Sequence, residues 1–165
     1  MKRILLDANI YGEIVIDPDI EKIKGNIRNA GVIYGFRVIR SKMRKTSKSK
    51  YVGNHGLRVS LLSLYDEVTK GKEFLITEEM KKIARSYYNA YREFGGSKSL
   101  ESIIEDFIII ACASVHGIDI VVSEDEKSML TENAIRAYKL VNEIAKKRTP
   151  DFIGYEEFKR RLFGG

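Results

Sequence analysis

Short apolar runs and longer helical stripes alternate along this chain. Arg3–Leu6 is a compact apolar run that predicts a buried strand. Gly31 precedes a second such run at 32–35, and a third, at 118–122, follows His116-Gly117. Asp17-Pro18 predicts a helix over about 18–29, with Asp17 as N-cap and Pro18 in its first position. A basic helix is predicted from the second strand to about Lys45, then a polar loop over 46–56 and a helix over about 57–70. Thr77 followed by Glu78 and Glu79 marks a helix start, and Gly95-Gly96 stops that helix after Phe94. Ser99 caps the next helix, Thr131 or Asn133 opens another, and Pro150 ends the region that follows. A short strand at 152–153 and a final helix complete the chain. Strands interleaved with helices predict an α/β fold with a parallel sheet.

The stripe over 100–116 is unusually wide. Leu100, Ile103, Ile104, Phe107, Ile108, Ala111, Cys112 and Val115 follow helical spacing, and Ile109, Ile110 and Ala113 extend the apolar face. Asp106 sits within it. A carboxylate there needs a partner, because an isolated charge in apolar surroundings is costly. A hydrogen bond to backbone or to an Arg would serve, and so would a metal ion. Asp7 directly follows the first strand, and Asp125 comes three residues after the run at 118–122. Sites in parallel sheets form at the carboxyl ends of strands. A helix preceding a parallel strand runs antiparallel to it, which brings the N-terminal half of that helix, and Asp106, over the same edge. Three carboxylates thus converge. Oxygen ligands without Cys or a placed His suit a hard cation, Mg2+ or Mn2+, and phosphodiester hydrolysis.

Charge adds a second theme. From Lys22 to Tyr65 there are 11 Lys or Arg and no Asp or Glu, so the rest of the chain, with 18 basic and 23 acidic groups, is net negative. The densest part is Arg37, Arg40, Lys42, Arg44, Lys45, Lys48 and Lys50. This block suits the phosphate backbone of a polyanion partner, the alternative being a solvated helix and loop whose charges pair with acids elsewhere in the protein. At 165 residues, 44% apolar and 32% charged, the chain predicts one globular domain. The lone Cys112 excludes a disulfide framework, and with no signal peptide or membrane span a cytoplasmic location is expected. His55 and His116 are isolated, Cys112 lies on the apolar stripe, and Tyr87, Tyr88, Tyr91 and Phe94 read foremost as packing.

Three motifs in order carry a resemblance. Leu5-Leu6-Asp7-Ala8-Asn9-Ile10, then Glu105-Asp106-Phe107-Ile108-Ile109-Ile110-Ala111, then Val121-Val122-Ser123-Glu124-Asp125 resemble the PIN domain of VapC-type ribonucleases. The resemblance covers about residues 1–150, with 151–165 as a strand and helix packed on the same domain. It implies a three-layer α/β/α sandwich around a parallel sheet, and Mg2+- or Mn2+-dependent cleavage of single-stranded RNA. It makes Asp7, Asp106 and Asp125 the catalytic metal ligands, with Asn9 and Ser123 holding them. A toxin role would imply an antitoxin partner; a homodimer is a further expectation. One position departs from the pattern. The family places a Glu early in the helix after the second strand, and the matching place here is about Lys42. Asp66, Glu67 and Glu105 are candidates for the missing acid, and Glu124 and Glu126 also flank the cluster. The departure opens the alternative of a non-catalytic RNA-binding or regulatory domain. A phosphohydrolase using Asp7 as nucleophile would need a second Asp where Asn9 stands.

Overall fold

The computed structural model of the protein describes residues 1–164. Its central sheet contains β1 (Arg3–Leu6), β2 (Val32–Phe36), β5 (Glu73–Phe74), β6 (Ile120–Val122) and β7 (Asp151–Ile153), all parallel, in the order β5-β2-β1-β6-β7. β1 lies in the middle, and Ile4, Leu5 and Leu6 are buried. A strand covered on both faces has no polar side, which is why it reads as a continuous apolar run. The covering helices are α1 (Ala8–Ile16), α2 (Ile20–Asn26), α3 (Arg37–Arg44), α4 (Leu57–Thr69), α5 (Glu78–Glu93), α6 (Leu100–Val115), α7 (Glu132–Ile144) and α8 (Tyr155–Leu162). α1, α3 and α4 pack on one another, and α5 packs against both α6 and α7. The result is the three-layer α/β/α sandwich. Among the described residues, no helix is long and apolar enough to cross a membrane.

The caps at Thr77, Ser99 and Thr131 are real: each side chain accepts a hydrogen bond from a backbone N–H in the first turn. The predicted N-cap at Asp17 is a correction. Asp17 ends a helix, α1, donating its N–H to Ile14 O, and the next helix starts only at Ile20. The dipeptide Asp17-Pro18 outweighed a short stripe, Ile10, Tyr11, Ile14 and Val15, which is buried along α1. The loop at 46–56 contains a small antiparallel hairpin, β3 (Tyr51–Val52) with β4 (His55–Gly56), turning through Gly53 at φ +59°. Tyr87 and Tyr91 are buried, their rings edge-on to Phe107.

The Asp17 carboxylate ties α1 to α8. Its Oδ2 accepts from Tyr155 Oη at 2.7 Å and stands 2.8 Å from Lys159 Nζ. Burial works to raise its pKa, but the bonds from Lys159, Tyr155 and Asp19 N outweigh that and hold it at about 2. A carboxyl depressed on folding stabilises the fold above its unfolded pKa, and this contribution disappears as pH falls toward about 2. Asp17→Asn is therefore expected to flatten the fall in Tm between about pH 4 and pH 2. An unchanged acid limb would remove this tie from the acid stability of the protein.

Candidate functional site

Parallel register sets the site. Leu6 pairs with Val122, so the next residues of both strands, Asp7 and Ser123, emerge side by side at the carboxyl edge. Asp7 N donates to Val122 O at 2.9 Å, turning the chain into α1, which Asp7 caps through Oδ1 and Ala8 N at 2.8 Å. Its Oδ2 accepts from Ser123 Oγ at 2.8 Å and from Asn9 Nδ2 at 3.4 Å. Asn9 Oδ1 in turn accepts from Glu124 N at 3.2 Å. Asn9 and Ser123 thus lock the β1 and β6 ends together around an aspartate whose side chain is 2% exposed.

Asp125 is held differently. Its N–H donates to Ser123 Oγ at 3.1 Å, while its Oδ1 accepts from Lys127 N at 3.1 Å and Ser128 N at 2.9 Å. These two amides were not anticipated, though an Asp followed by a polar turn signals such self-capping. Glu124 turns away from the cluster: its Oε1 accepts from Tyr155 N at 2.6 Å at the start of α8.

Asp106 comes from the N-terminal half of α6, which packs against α3. There the decisive side chain is Lys42. Its Nζ lies 2.8 Å from Asp106 Oδ1 and 3.7 Å from Asp7 Oδ1. Burial opposes the lysine's charge, but Asp7 and Asp106 outweigh it and raise its pKa, so it stays an ammonium. Asp106 is raised as well: burial is the largest cause, Lys42 opposes it, and the charges of Asp125 and Asp7 add to it. One ammonium among three carboxylates leaves the centre with surplus negative charge.

These donors are chemically right for a hard cation, yet in this arrangement they do not fit one. Among the described residues, no group of three His, Cys, Asp or Glu side chains is placed to hold a metal ion. The space between Asp7 and Asp106 is taken by the lysine, Asp7 Oδ2 is engaged by Ser123 and Asn9, and Asp125 Oδ1 by the two amides that follow it.

The candidates for a further acid separate. Asp66 and Glu67 lie on α4, 3.5 Å from Arg40 Nε and 3.0 Å from Lys24 Nζ. Glu105 is near the centre, where its charge helps raise Lys42, and its Oε2 is 3.6 Å from Lys45 Nζ. The basic block divides too. Arg37 binds Glu73 through Nε at 2.9 Å and Nη2 at 2.8 Å, so Arg37, Arg40, Lys42 and Lys45 all have acidic partners within the protein. Arg44, Lys48 and Lys50 are exposed, with no ion pair among the described residues.

No family model matches the sequence, and no curated protein does. A solved structure does match: a chain of FitAB bound to the IR36 DNA fragment, at TM-score 0.59 and 16% identity, over 92% of this chain and 94% of that one. At this identity the likeness shows the fold, which is that of a PIN domain.

Proposed function

We propose that this chain, which has the PIN-domain fold, binds single-stranded RNA and does not hydrolyse it while Lys42 occupies the acidic centre. One observation carries the reading: the ammonium bridges Asp106 at 2.8 Å and Asp7 at 3.7 Å, where the resemblance implies a divalent cation. Lys42 balances part of the carboxylate charge from within the chain, so the centre keeps its shape without lowering the pKa of any water. The exposed Arg44, Lys48 and Lys50 supply phosphate contacts on the surface. A nucleic-acid setting is also supported by FitAB, which is bound to DNA in the matching structure. A toxin–antitoxin setting, with an antitoxin or a second copy as partner and a cytoplasmic location, belongs to the same proposal.

A second reading is favoured by the convergence of Asp7, Asp106 and Asp125: an endoribonuclease using Mg2+ or Mn2+ once the ammonium is displaced. Manganese calorimetry alongside incubation with a fluorescent single-stranded RNA separates the two. The first reading expects weak manganese binding, at most one ion per chain, with RNA bound and left intact. Cleavage that requires manganese and disappears in Asp106→Asn would establish the second.

The same assay tests the basic block. The acidic partners of Arg40 and Lys45 shift the expected salt dependence toward residues without partners. Lys48→Ala with Lys50→Ala should lower the log–log salt slope by about 0.7 per lost phosphate contact on a single strand. An unchanged slope would place RNA elsewhere on the surface.

A further inference from the structure

We propose that the face of α3 turned away from Lys42 is a phosphate-binding pocket, distinct from the acidic centre. Arg37, Arg40, Ser41 and Arg44 follow i, i+3, i+4, i+7 along α3 and therefore share one side of it. At 3.6 residues per turn, Lys42 projects from nearly the opposite side, toward Asp7 and Asp106. The four residues, with Glu73 from β5, line a cavity of about 260 Å³. Three guanidinium groups face one lining carboxylate, and Asp66 beside Arg40 is the other acid nearby.

The arginines are held in different ways. Glu73 fixes Arg37 through Nε and Nη2, and is itself fixed by Tyr65 Oη at 2.7 Å. Arg40 is braced by Asp66 at 3.5 Å and lies over the Tyr65 ring at 6.0 Å. Arg44 is exposed and has no acidic partner among the described residues. Two guanidiniums are thus positioned in advance, while the third can close on a ligand with its full set of donors. A planar carboxylate matches one such fork. A phosphate presents oxygens in several directions and matches several, and the cavity also has room for the group that the phosphate is esterified to.

The bound phosphate comes from a nucleic-acid strand or from a small phosphate compound. The strand assignment rests on the RNA-binding reading above; the pocket itself does not. The test titrates the full chain with inorganic phosphate, and with a short single-stranded oligouridylate with and without a 5′-phosphate. Wild type is compared with Arg44→Ala and with Lys139→Ala, an exposed lysine on α7 that controls for charge. Loss of a charge-assisted hydrogen bond should weaken binding about tenfold in Arg44→Ala and leave Lys139→Ala unchanged. A preference for the 5′-phosphorylated strand assigns the pocket to a strand end; equal loss for both strands assigns it to an internal phosphodiester. Phosphate binding that depends on Arg44, with no RNA bound by wild type, keeps the pocket and overturns the strand assignment. RNA and phosphate bound equally by wild type and Arg44→Ala overturns the pocket and leaves the RNA-binding reading standing. Equal weakening in Arg44→Ala and Lys139→Ala also overturns it, because net charge alone would then explain the effect.

Discussion

The Lys42→Glu protein is expected to depend on a divalent cation for its stability. The change removes the ammonium 2.8 Å from Asp106 and 3.7 Å from Asp7, and adds a carboxylate to a centre that already has surplus negative charge. Removing one partner of a buried ion pair costs about 3–5 kcal/mol; with the Lys42 side chain 24% exposed, about 2–4 kcal/mol is the better figure here. For a chain of this size that lowers Tm by roughly 5–15 °C in the presence of a chelator. Manganese should reverse the loss, since a ligand at about 100 times its Kd restores about 2.7 kcal/mol. Wild type should show little response to the same ion. Thermal unfolding of both proteins, with chelator and with manganese, measures this directly. A Lys42→Glu protein that unfolds like wild type under both conditions would mean the lysine is not the counter-charge of this centre. A wild type stabilised by manganese as strongly as the variant would mean the lysine does not exclude the ion.

Lys42→Met should be costly alone and mild in the company of Asp106→Asn. Met keeps the length of the side chain and removes the charge, leaving Asp7, Asp106 and Asp125 to repel one another; the expected cost at neutral pH is about 2–4 kcal/mol. Asp106→Asn alone should be close to neutral or slightly stabilising. Burial and its two carboxylate neighbours already hold the Asp106 pKa above the usual range, so ionising it works against the fold, and the amide can still accept from Nζ. In the double variant the chief repulsion is gone, and the two effects should couple by about 1–3 kcal/mol. The pH sign follows from the same physics. Without the ammonium, Asp106 is raised further, so Lys42→Met should recover toward wild type as pH falls and the carboxyl takes up a proton. Strict additivity at neutral pH would show that the two side chains do not act on each other.

Much of this centre is legible along the chain because local rules decide it. Asp7 ends an apolar strand, Asp106 interrupts an apolar helix, and Asp125 follows a third apolar run; each position is set by its own neighbours. Counting forward from β2 brings Lys42 to the acids, because a short helix of regular pitch leaves little freedom of phase. Other elements were harder to read. α1 was hidden by a stronger-looking start signal at Asp17-Pro18. β5 has only two residues and exists because Gly35 and Phe36 offer it an edge, which no local pattern announces.

Periodicity and capping act over a few residues, so the alternation of strands and helices, the caps at Thr77, Ser99 and Thr131, and the places of the three acids, two beyond strand ends and one within an apolar helix, are readable along the chain. Which charges meet is settled by packing alone. Arg37 finds Glu73 on β5, Arg40 finds Asp66 on α4, and Lys45 and Lys42 find Glu105 and Asp106 on α6. A charge interacts through space, over a few ångströms, with whatever packing brings near it, so a block of like charges in sequence can become a set of internal pairs with only Arg44, Lys48 and Lys50 facing outward unpaired among the described residues of that block.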